Sequence, residues 1–134
     1  TKDAGKTWEK QDAGVFRMFF DVVFKDDKTG YAVGGHGQMV MTEVGGETWE
    51  EIRTGVEDNL LSLDLLGDKV WITGLNGTYL EGLVSAPKPR FLDTYVWLNG
   101  ITMTGSGLGA AEGREGTILV TKDQGTSWVQ LKIK

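Results

Sequence analysis

Three stretches of the chain share one short pattern of residues. In two of them hydroxyl side chains flank an aspartate, and in the third another residue stands at the aspartate position. They read TKDAGKTW at 1–8, TEVGGETW at 42–49 and TKDQGTSW at 121–128. Such a grouping raises the question of catalysis, but the phrase pairs no nucleophile with a base. The second copy has Val44 where the others have Asp3 and Asp123. That change would remove a catalytic carboxylate but would only weaken a turn, so these stretches, which we call the tryptophan turns, are predicted to be structural.

Each residue type in a tryptophan turn has a physical role there. A carboxylate accepts hydrogen bonds from turn amides and closes an Asx-type turn, while glycine adopts the positive φ that other residues resist. Tryptophan is large and flat, and it can pack as a wedge between adjacent sheets. The predicted structural residues of the repeat are Asp3, Gly5, Trp8, Gly46, Trp49, Asp123, Gly125 and Trp128.

The spacing of the turns indicates a repeat of ~40 residues. Trp8 and Trp49 are 41 positions apart, and Trp128 follows after 79, nearly twice that step. A pair of glycines three positions apart recurs with steps of 40 and 39 residues; the pairs are Gly34 and Gly37, Gly74 and Gly77, and Gly113 and Gly116. The middle unit keeps its glycine pair but has SAPKPRFL in place of a tryptophan turn.

Each unit is predicted to contain four short strands, a to d. The first unit has them at 16–24, 30–34, 38–42 and 48–53. The second has a, b and c at 60–66, 69–74 and 78–82, with strand d replaced by an insertion. The third has all four at 101–105, 109–113, 117–121 and 127–133.

Four strands in a unit of ~40 residues are typical of a β-propeller blade. The predicted fold is all-β, a partial propeller of about three four-stranded antiparallel sheets plus one extra strand. The predicted boundaries are the end of a preceding blade at 1–11 and blades at 12–53, 54–92 and 93–134. A two-sheet sandwich also has frequent turns, but it does not predict the same turn sequence at the same phase.

Composition excludes several functional classes. The net charge is −5 and the 14 basic residues are scattered, so the basic stripe of a nucleic-acid binder is missing. The chain contains no run of 18 apolar residues, so no membrane-spanning segment is predicted. The absence of Cys removes disulfides, thiolate metal sites and Cys nucleophiles.

The tryptophan turns match the BNR or Asp-box pattern at 1–8 and 121–128, and degenerately at 42–49. The run GYAVGGHGQMVMTEVGGETW at 30–49 resembles the repeat of the Ycf48-like family, and GAAEGREGTILVTKDQGTSW at 109–128 fits it less well. This resemblance implies a seven-bladed, non-enzymatic propeller that binds proteins, as in photosystem II assembly factors of the thylakoid lumen. It also implies an exported protein, in the periplasm, the extracellular space or the thylakoid lumen. A generic bacterial exported relative is favoured over a photosynthetic one.

In an up-and-down sheet, the b–c turns and the d–a connections lie on one face, and propellers that bind a partner usually use it. The residues of the b–c turns that are predicted to bind a partner on this face are His36, Gln38, Asn76, Arg114 and Glu115. The d–a connections add Glu57, Asp58, Asn59 and the segment SAPKPRFLDTY. The alternative for each of these residues is that it is a solvent-exposed turn residue without a binding role. His36 is the only histidine, so no metal site is predicted, and no cofactor is expected.

Glu112 is a further candidate, because it stands at the strand-b phase that Val33 and Thr73 occupy in the other units. A carboxylate there is predicted either to line the channel or to pair with a nearby arginine.

A sialidase-like glycoside hydrolase is the alternative function. It would require a cluster of arginines, but Arg17, Arg53, Arg90 and Arg114 do not recur at one phase of the repeat. A paired-carboxylate hydrolase of another kind remains open.

The chain begins inside a repeated phrase, which predicts a fragment or a processed piece of a longer repeat protein. Three blades cannot close a ring, and their two open flanks would expose strands and apolar surface. Self-association or a complementary protein partner is therefore expected.

Overall fold

The computed structural model describes residues 1–132, which form three four-stranded antiparallel sheets. The first contains β1 (Phe19–Phe24), β2 (Gly30–Gly34), β3 (Met39–Thr42) and β4 (Glu50–Ile52). The second contains β5 (Leu60–Leu66), β6 (Lys69–Gly74), β7 (Tyr79–Leu83) and β8 (Lys88–Pro89). The third contains β9 (Leu98–Met103), β10 (Gly109–Gly113), β11 (Ile118–Thr121) and β12 (Val129–Gln130). Strands follow chain order in every sheet, which confirms the predicted all-β propeller blades.

Most predicted strands are found within a few residues of their predicted limits. Strand β1 begins at Phe19 rather than at residue 16, because residues 16–18 belong to the connection that leads into the sheet. Strand β9 begins at Leu98, three residues earlier than predicted. The predicted last strand at 127–133 and the predicted last blade at 93–134 both extend beyond the described residues.

Two segments differ from the prediction. The second sheet does have a fourth strand, since Lys88 and Pro89 pair with Glu81 and Leu80 of β7. Proline is tolerated there because β8 is an edge strand, which needs no second hydrogen-bonded neighbour. The extra strand expected within residues 1–11 is not formed: this segment is a turn followed by irregular chain without a strand partner in the described part of the protein.

Two hydrophobic seams join the three sheets. Val33 and Met39 of the first sheet pack with Leu60, Ile72 and Leu80 of the second. The opposite face of the second sheet packs against the third, and this seam includes Trp71, Tyr79, Leu98, Ile101 and Leu119. The alternation of side chains along β6 and β7 sends neighbouring residues into opposite seams, so the second sheet is buried on both faces.

A carboxylate on the first strand of one sheet reaches the backbone of the next sheet in both seams. Asp21 Oδ2 of β1 accepts hydrogen bonds from Leu63 N (2.9 Å) and Ser62 Oγ (3.0 Å) of β5. Asp64 Oδ2 of β5 likewise accepts a bond of 2.6 Å from Met103 N of β9. Because β1 contacts β5 and β5 contacts β9, these carboxylates fix neighbouring sheets where their first strands lie side by side.

The b–c turns also link neighbouring sheets. Gly37 N donates to Asp58 O, and Gly77 N donates to Val96 O, each at 2.8 Å. A Cβ added to Gly77 would lie 1.9 Å from Thr94 O, and Gly77 has a φ of +73°. The second glycine of the first two pairs therefore permits both the turn conformation and the close approach of the next connection.

Candidate functional site

The tryptophan turns share one hydrogen bond, from a backbone amide to a threonine Oγ1, in all three copies. The threonine at the first position accepts a 2.9 Å bond from the glycine amide four residues later; the pairs are Thr1 and Gly5, Thr42 and Gly46, and Thr121 and Gly125. This bond closes the turn with the glycine at positive φ.

The aspartates close two of these turns further. Asp3 accepts bonds from Thr7 N (2.9 Å) and Thr7 Oγ1 (2.7 Å), and these bonds lower its pKa to about 2. Asp123 accepts from Ser127 Oγ (2.6 Å) and Ser127 N (2.8 Å), and its pKa is lowered to about 2 for the same reason. Such carboxylates are strong acceptors held ionised by the turn, which makes them poor general bases.

The copy at 42–49 shows what the aspartate adds. The Val44 side chain has no acceptor, so the turn keeps the bonds that Thr42 Oγ1 accepts from Val44 N and Gly46 N, together with the backbone bond from Glu47 N to Val44 O (3.4 Å). The turn nevertheless keeps its shape, with Gly45 and Gly46 at φ values of +67° and +91°. The aspartate therefore reinforces a turn that forms without it.

The three tryptophans of the turns have different surroundings. Trp128 packs edge-on against Tyr79 of the neighbouring sheet, with ring centroids 5.7 Å apart, as expected for a wedge between sheets. Trp49 packs edge-on against Phe24 at 6.3 Å within its own sheet. Trp8 is 77% exposed, because no described sheet lies beside the turn at 1–8.

The turn at 121–128 rests on a polar cluster of the second sheet. Tyr79 OH donates to Glu81 Oε2 (2.6 Å) and accepts from Trp128 Nε1 (3.3 Å), and burial raises the pKa of Tyr79. Arg90 pairs with Glu81 and donates to Thr126 O at 3.0 Å. Arg90 is thus engaged in a contact between sheets, and the cluster has the character of a structural joint.

The b–c turns place one side chain of each sheet at the same special position. His36, Asn76 and Glu115 have φ values of 55°, 56° and 58°, and all three are exposed. Residues other than glycine rarely adopt this conformation, although Asn and His tolerate it better than Glu. Three of the predicted binding residues are therefore structurally equivalent and point away from the sheets' buried seams.

A carboxylate braces the b–c turn of the second sheet. Asp58, in the connection leading to β5, accepts bonds from Asn76 Nδ2 (2.8 Å) and Thr78 Oγ1 (3.0 Å). Its own carbonyl accepts from Gly37 of the first sheet. Asn76 is thus held by a contact within the fold, and its amide is only partly available to a ligand.

An open cleft lies beside each of the first two b–c turns. The cleft of the second sheet has a volume of about 290 Å³ and is lined by Val56, Asn76, Thr78 and the segment Pro89–Phe91, among others. The cleft of the first sheet has a volume of about 460 Å³ and is lined by residues 14–17, Gln38 and Glu51. Val15 and Val56 are one repeat step apart, so the two clefts occupy equivalent places in successive sheets.

Aromatic and cationic side chains are exposed where the second and third sheets meet. The Arg114 guanidinium lies 3.5 Å from the centroid of the Trp97 ring, close enough for a cation–π contact. Phe91 and Tyr95 pack with their ring planes tilted by 46° and their centroids 5.1 Å apart, and they remain 55% and 78% exposed. We call Phe91, Tyr95, Trp97 and Arg114 the aromatic surface.

Glu112 is exposed on the outer face of the third sheet. The equivalent Val33 and Thr73 are fully buried between sheets. The ion pairs formed within residues 1–132 do not include Glu112; instead its carboxylate lies over the backbone of Gly100. Within residues 1–132 Glu112 forms no ion pair with an arginine, and its role as a binding residue stays a prediction.

The six predicted binding residues lie on three sheets, and within the described chain no hydrogen bond joins any two of them. Gln38 differs from the others because it is buried, at 7% exposure. The sequence reasoning included FLDTY of 91–95 but missed Trp97, whose position is equivalent to Met18 and Asn59. The position of Trp97 in the repeat could have revealed it, since the chain segment before strand a faces the b–c turn in every unit.

Residues 1–132 contain no group of three or more acidic or histidine side chains that could hold a metal ion. They also contain no helix of the length and apolarity needed to cross a membrane.

The stacked sheets, their joining turns and the shared face of loops define a β-propeller repeat protein. The sequence model described as "Photosynthesis system II assembly factor YCF48" matches residues 1–82, more than half of the chain. The chain therefore belongs to the Ycf48 family, which confirms the resemblance drawn from its repeats.

Curated relatives extend this result. The chain is similar to the photosystem II assembly lipoprotein Ycf48 of Synechococcus sp. (strain RCC307), with 36% identity over 70 residues that cover 49% of the chain and 21% of the relative. The protein of the same description from Synechococcus sp. (strain CC9902) is 28% identical over 129 residues, which cover 90% of the chain and 39% of the relative. The matched part of the chain thus spans at most about two fifths of these relatives.

Solved structures share the fold. A structure described as "YCF48 bound to D1 peptide" superimposes with a TM-score of 0.80 and 24% identity, covering 92% of this chain and 42% of that one. "YCF48 from Cyanidioschyzon merolae" gives a TM-score of 0.70 and 22% identity, with coverages of 85% and 39%.

Proposed function

We propose that this chain is a non-enzymatic binding module of an assembly factor and that its aromatic surface receives a segment of a partner protein. The observation that carries the proposal is the exposed stack of Arg114 on Trp97 beside the exposed pair Phe91 and Tyr95. Trp, Tyr and Arg are the residues that dominate binding energy in protein interfaces. Their position beside b–c turns and d–a connections agrees with the face that propellers use for partners.

The relatives support a protein as the ligand. The family description is that of a photosystem II assembly factor, and one solved relative is bound to a D1 peptide. We extend peptide binding to this chain as part of the proposal. The curated relatives are lipoproteins, which supports an exported location for this chain as well.

A longer propeller is the setting that best accounts for the open flanks. On the outer face of the first sheet, Phe20, Val22 and Phe24 are 43%, 56% and 46% exposed, whereas equivalent faces between sheets are buried. Exposed apolar faces of this kind favour packing against another sheet. We propose that the chain is part of a larger propeller, and that in isolation these faces associate with a second copy.

The binding proposal is tested by fluorescence anisotropy with a labelled synthetic D1 peptide and the full chain. Trp97→Ala and Arg114→Ala are expected to weaken binding by roughly tenfold or more each, the loss typical of an interface hot spot. Trp8→Ala is the matched control, because Trp8 is exposed on the tryptophan-turn side. Equal affinity in all variants, absence of binding, or turnover of sialosides by the chain would contradict the proposal.

The association of open flanks is tested by light scattering. The wild-type chain should exceed its monomer mass of 14.7 kDa at high concentration, and Val22→Lys should lower the mass because a charge interrupts the apolar face. A monodisperse wild-type monomer at all concentrations would exclude association.

A further inference from the structure

The carboxylate of Glu112 occupies in the third sheet the place that the Asp21 side chain has in the first. Asp21 pairs across the strands with Val33, and Gly100 pairs with Glu112 at the equivalent positions of β9 and β10. A Cβ added to Gly100 would lie 2.8 Å from Glu112 Oε1. Glycine leaves this space empty, and the Glu112 side chain reaches across from the neighbouring strand to fill it. The third sheet therefore presents a carboxylate on its outer face although β9 contains no acidic residue.

The first seam shows what a carboxylate at this place binds. Asp21 Oδ2 accepts hydrogen bonds from Leu63 N and Ser62 Oγ of the following sheet. Glu112 is exposed and forms no ion pair within residues 1–132. A sheet that packed against it would have to supply comparable donors, because burying an unpaired charge is strongly unfavourable.

The first sheet of a second copy does not offer these donors. It has Asp21 where the second sheet has Ser62. The amide of Val22, which is equivalent to Leu63 N, already donates to Asp21 Oδ1 at 2.9 Å. If the third sheet of one copy docked on the first sheet of another, the carboxylate of Glu112 would face that of Asp21. Like charges brought together in this way oppose the contact.

The outer face of the first sheet, in contrast, is complementary to itself. Val22 and Phe24 are 56% and 46% exposed, while Asp21 and Val23 between and before them contact the second sheet. In an isologous contact the same patch of both copies meets across a two-fold axis. The apolar stripe would then face an apolar stripe and no carboxylate, which is the arrangement that exposed apolar surface favours.

We propose that Glu112 directs the self-association of this chain. Two copies meet through the outer faces of their first sheets, and the charge of Glu112 keeps the third sheet from docking on the first sheet of another copy. A two-fold contact closes on itself, so the product is a dimer and not an open chain of copies. The dimer rests on the proposed association of the open flanks, whereas the repulsion between Glu112 and Asp21 does not.

Disulfide trapping in the full chain tests the geometry, because the chain has no cysteine of its own. Val22→Cys, in the apolar stripe, should form a covalent dimer under mild oxidation. Ala110→Cys is the matched variant on the outer face of the third sheet, since Ala110 lies between the buried Gly109 and Ala111. It should form no dimer, and a mixture of the two variants should give no mixed disulfide.

Charge variants test the role of Glu112 by light scattering. Glu112→Lys should raise the mass of the associated species above that of a dimer, because a lysine at this place attracts Asp21 of the next copy and allows head-to-tail growth. Glu115→Lys makes the same change of charge in the b–c turn of the third sheet and should leave the wild-type mass. A monomeric wild-type chain would overturn the dimer together with the proposed association. An unchanged mass in Glu112→Lys, or mixed disulfides between the two cysteine variants, would overturn the role of Glu112 alone.

Discussion

Asp64 on β5 accepts a 2.6 Å hydrogen bond from the backbone amide of Met103 on β9, and this bond joins two sheets at their first strands. Asp21 forms a similar link between β1 and β5, from a position two residues earlier in the strand register. In both cases one side chain satisfies a main-chain donor of the following unit. The seams are therefore fixed in register by polar contacts as well as by apolar packing.

Asp64→Ala should destabilise the fold by about 1–3 kcal/mol, since it leaves the amide of Met103 without its acceptor in a partly buried seam. Chemical denaturation followed by tryptophan fluorescence measures this loss. Asp27→Ala is the matched control, because Asp27 is an exposed residue of the hairpin between β1 and β2. Equal stability of the two variants would show that the Asp64 bond contributes nothing.

Acid should weaken the tryptophan turns within a defined pH window. The folded pKa values of Asp3 and Asp123 are about 2, below the ordinary 3.8. Their bonds therefore stabilise the folded state fully above about pH 4, and this contribution is lost as the pH falls toward 2. Thermal midpoints measured across that window should fall less steeply in Asp3→Asn and Asp123→Asn. An unchanged slope in both variants would mean that these bonds do not act on stability.

The turn at 42–49 should be stabilised by the residue that its relatives contain. Val44→Asp places a carboxylate where Asp3 and Asp123 accept bonds from the residue four positions on, here Thr48. A gain of about 1 kcal/mol is expected from one new bond of this kind, measured as a higher denaturation midpoint. Val44→Asn separates the hydrogen bond from the charge, and a lower midpoint in both variants would contradict the prediction.

Gly77 and Gly55 allow the effect of close approach to be separated from that of backbone conformation. Their φ values are +73° and +74°, but an added Cβ meets Thr94 O at Gly77 and meets nothing within 4 Å at Gly55. Gly55→Ala should cost roughly 1–2 kcal/mol from the left-handed conformation alone, and Gly77→Ala clearly more. Similar losses in both would show that the connection moves aside freely.

The fold could be read from the sequence because its signals are local and periodic. The spaced glycine pairs and the tryptophan turns specify turns with positive φ, and strands β2, β5, β6 and β10 have the bounds that the repeat predicts. Strand β8 was missed because Lys88–Pro89 has no strand pattern of its own. It pairs because β7 offers it an edge, which is a tertiary effect that the local sequence does not encode.

The candidate site could be predicted less completely than the fold. The b–c turns were nominated correctly as loops, but whether a loop residue is free depends on partners distant in sequence. Asn76 is held by Asp58, and Arg114 rests on Trp97, which lies 17 positions earlier. Gln38 is buried although it follows an exposed turn, and only coordinates show that it lines one cleft with Arg17.

The seams described above join each sheet only to the ones directly before and after it in the chain. Such an arrangement behaves as a one-dimensional array, in which stability is a sum of unit and nearest-neighbour terms. The second sheet has a neighbour on both sides, and the outer two have one each. The free energy of opening measured by amide hydrogen exchange should therefore be lower in the two outer sheets than in the central one. The molecule should unfold progressively from its ends and not in a single step.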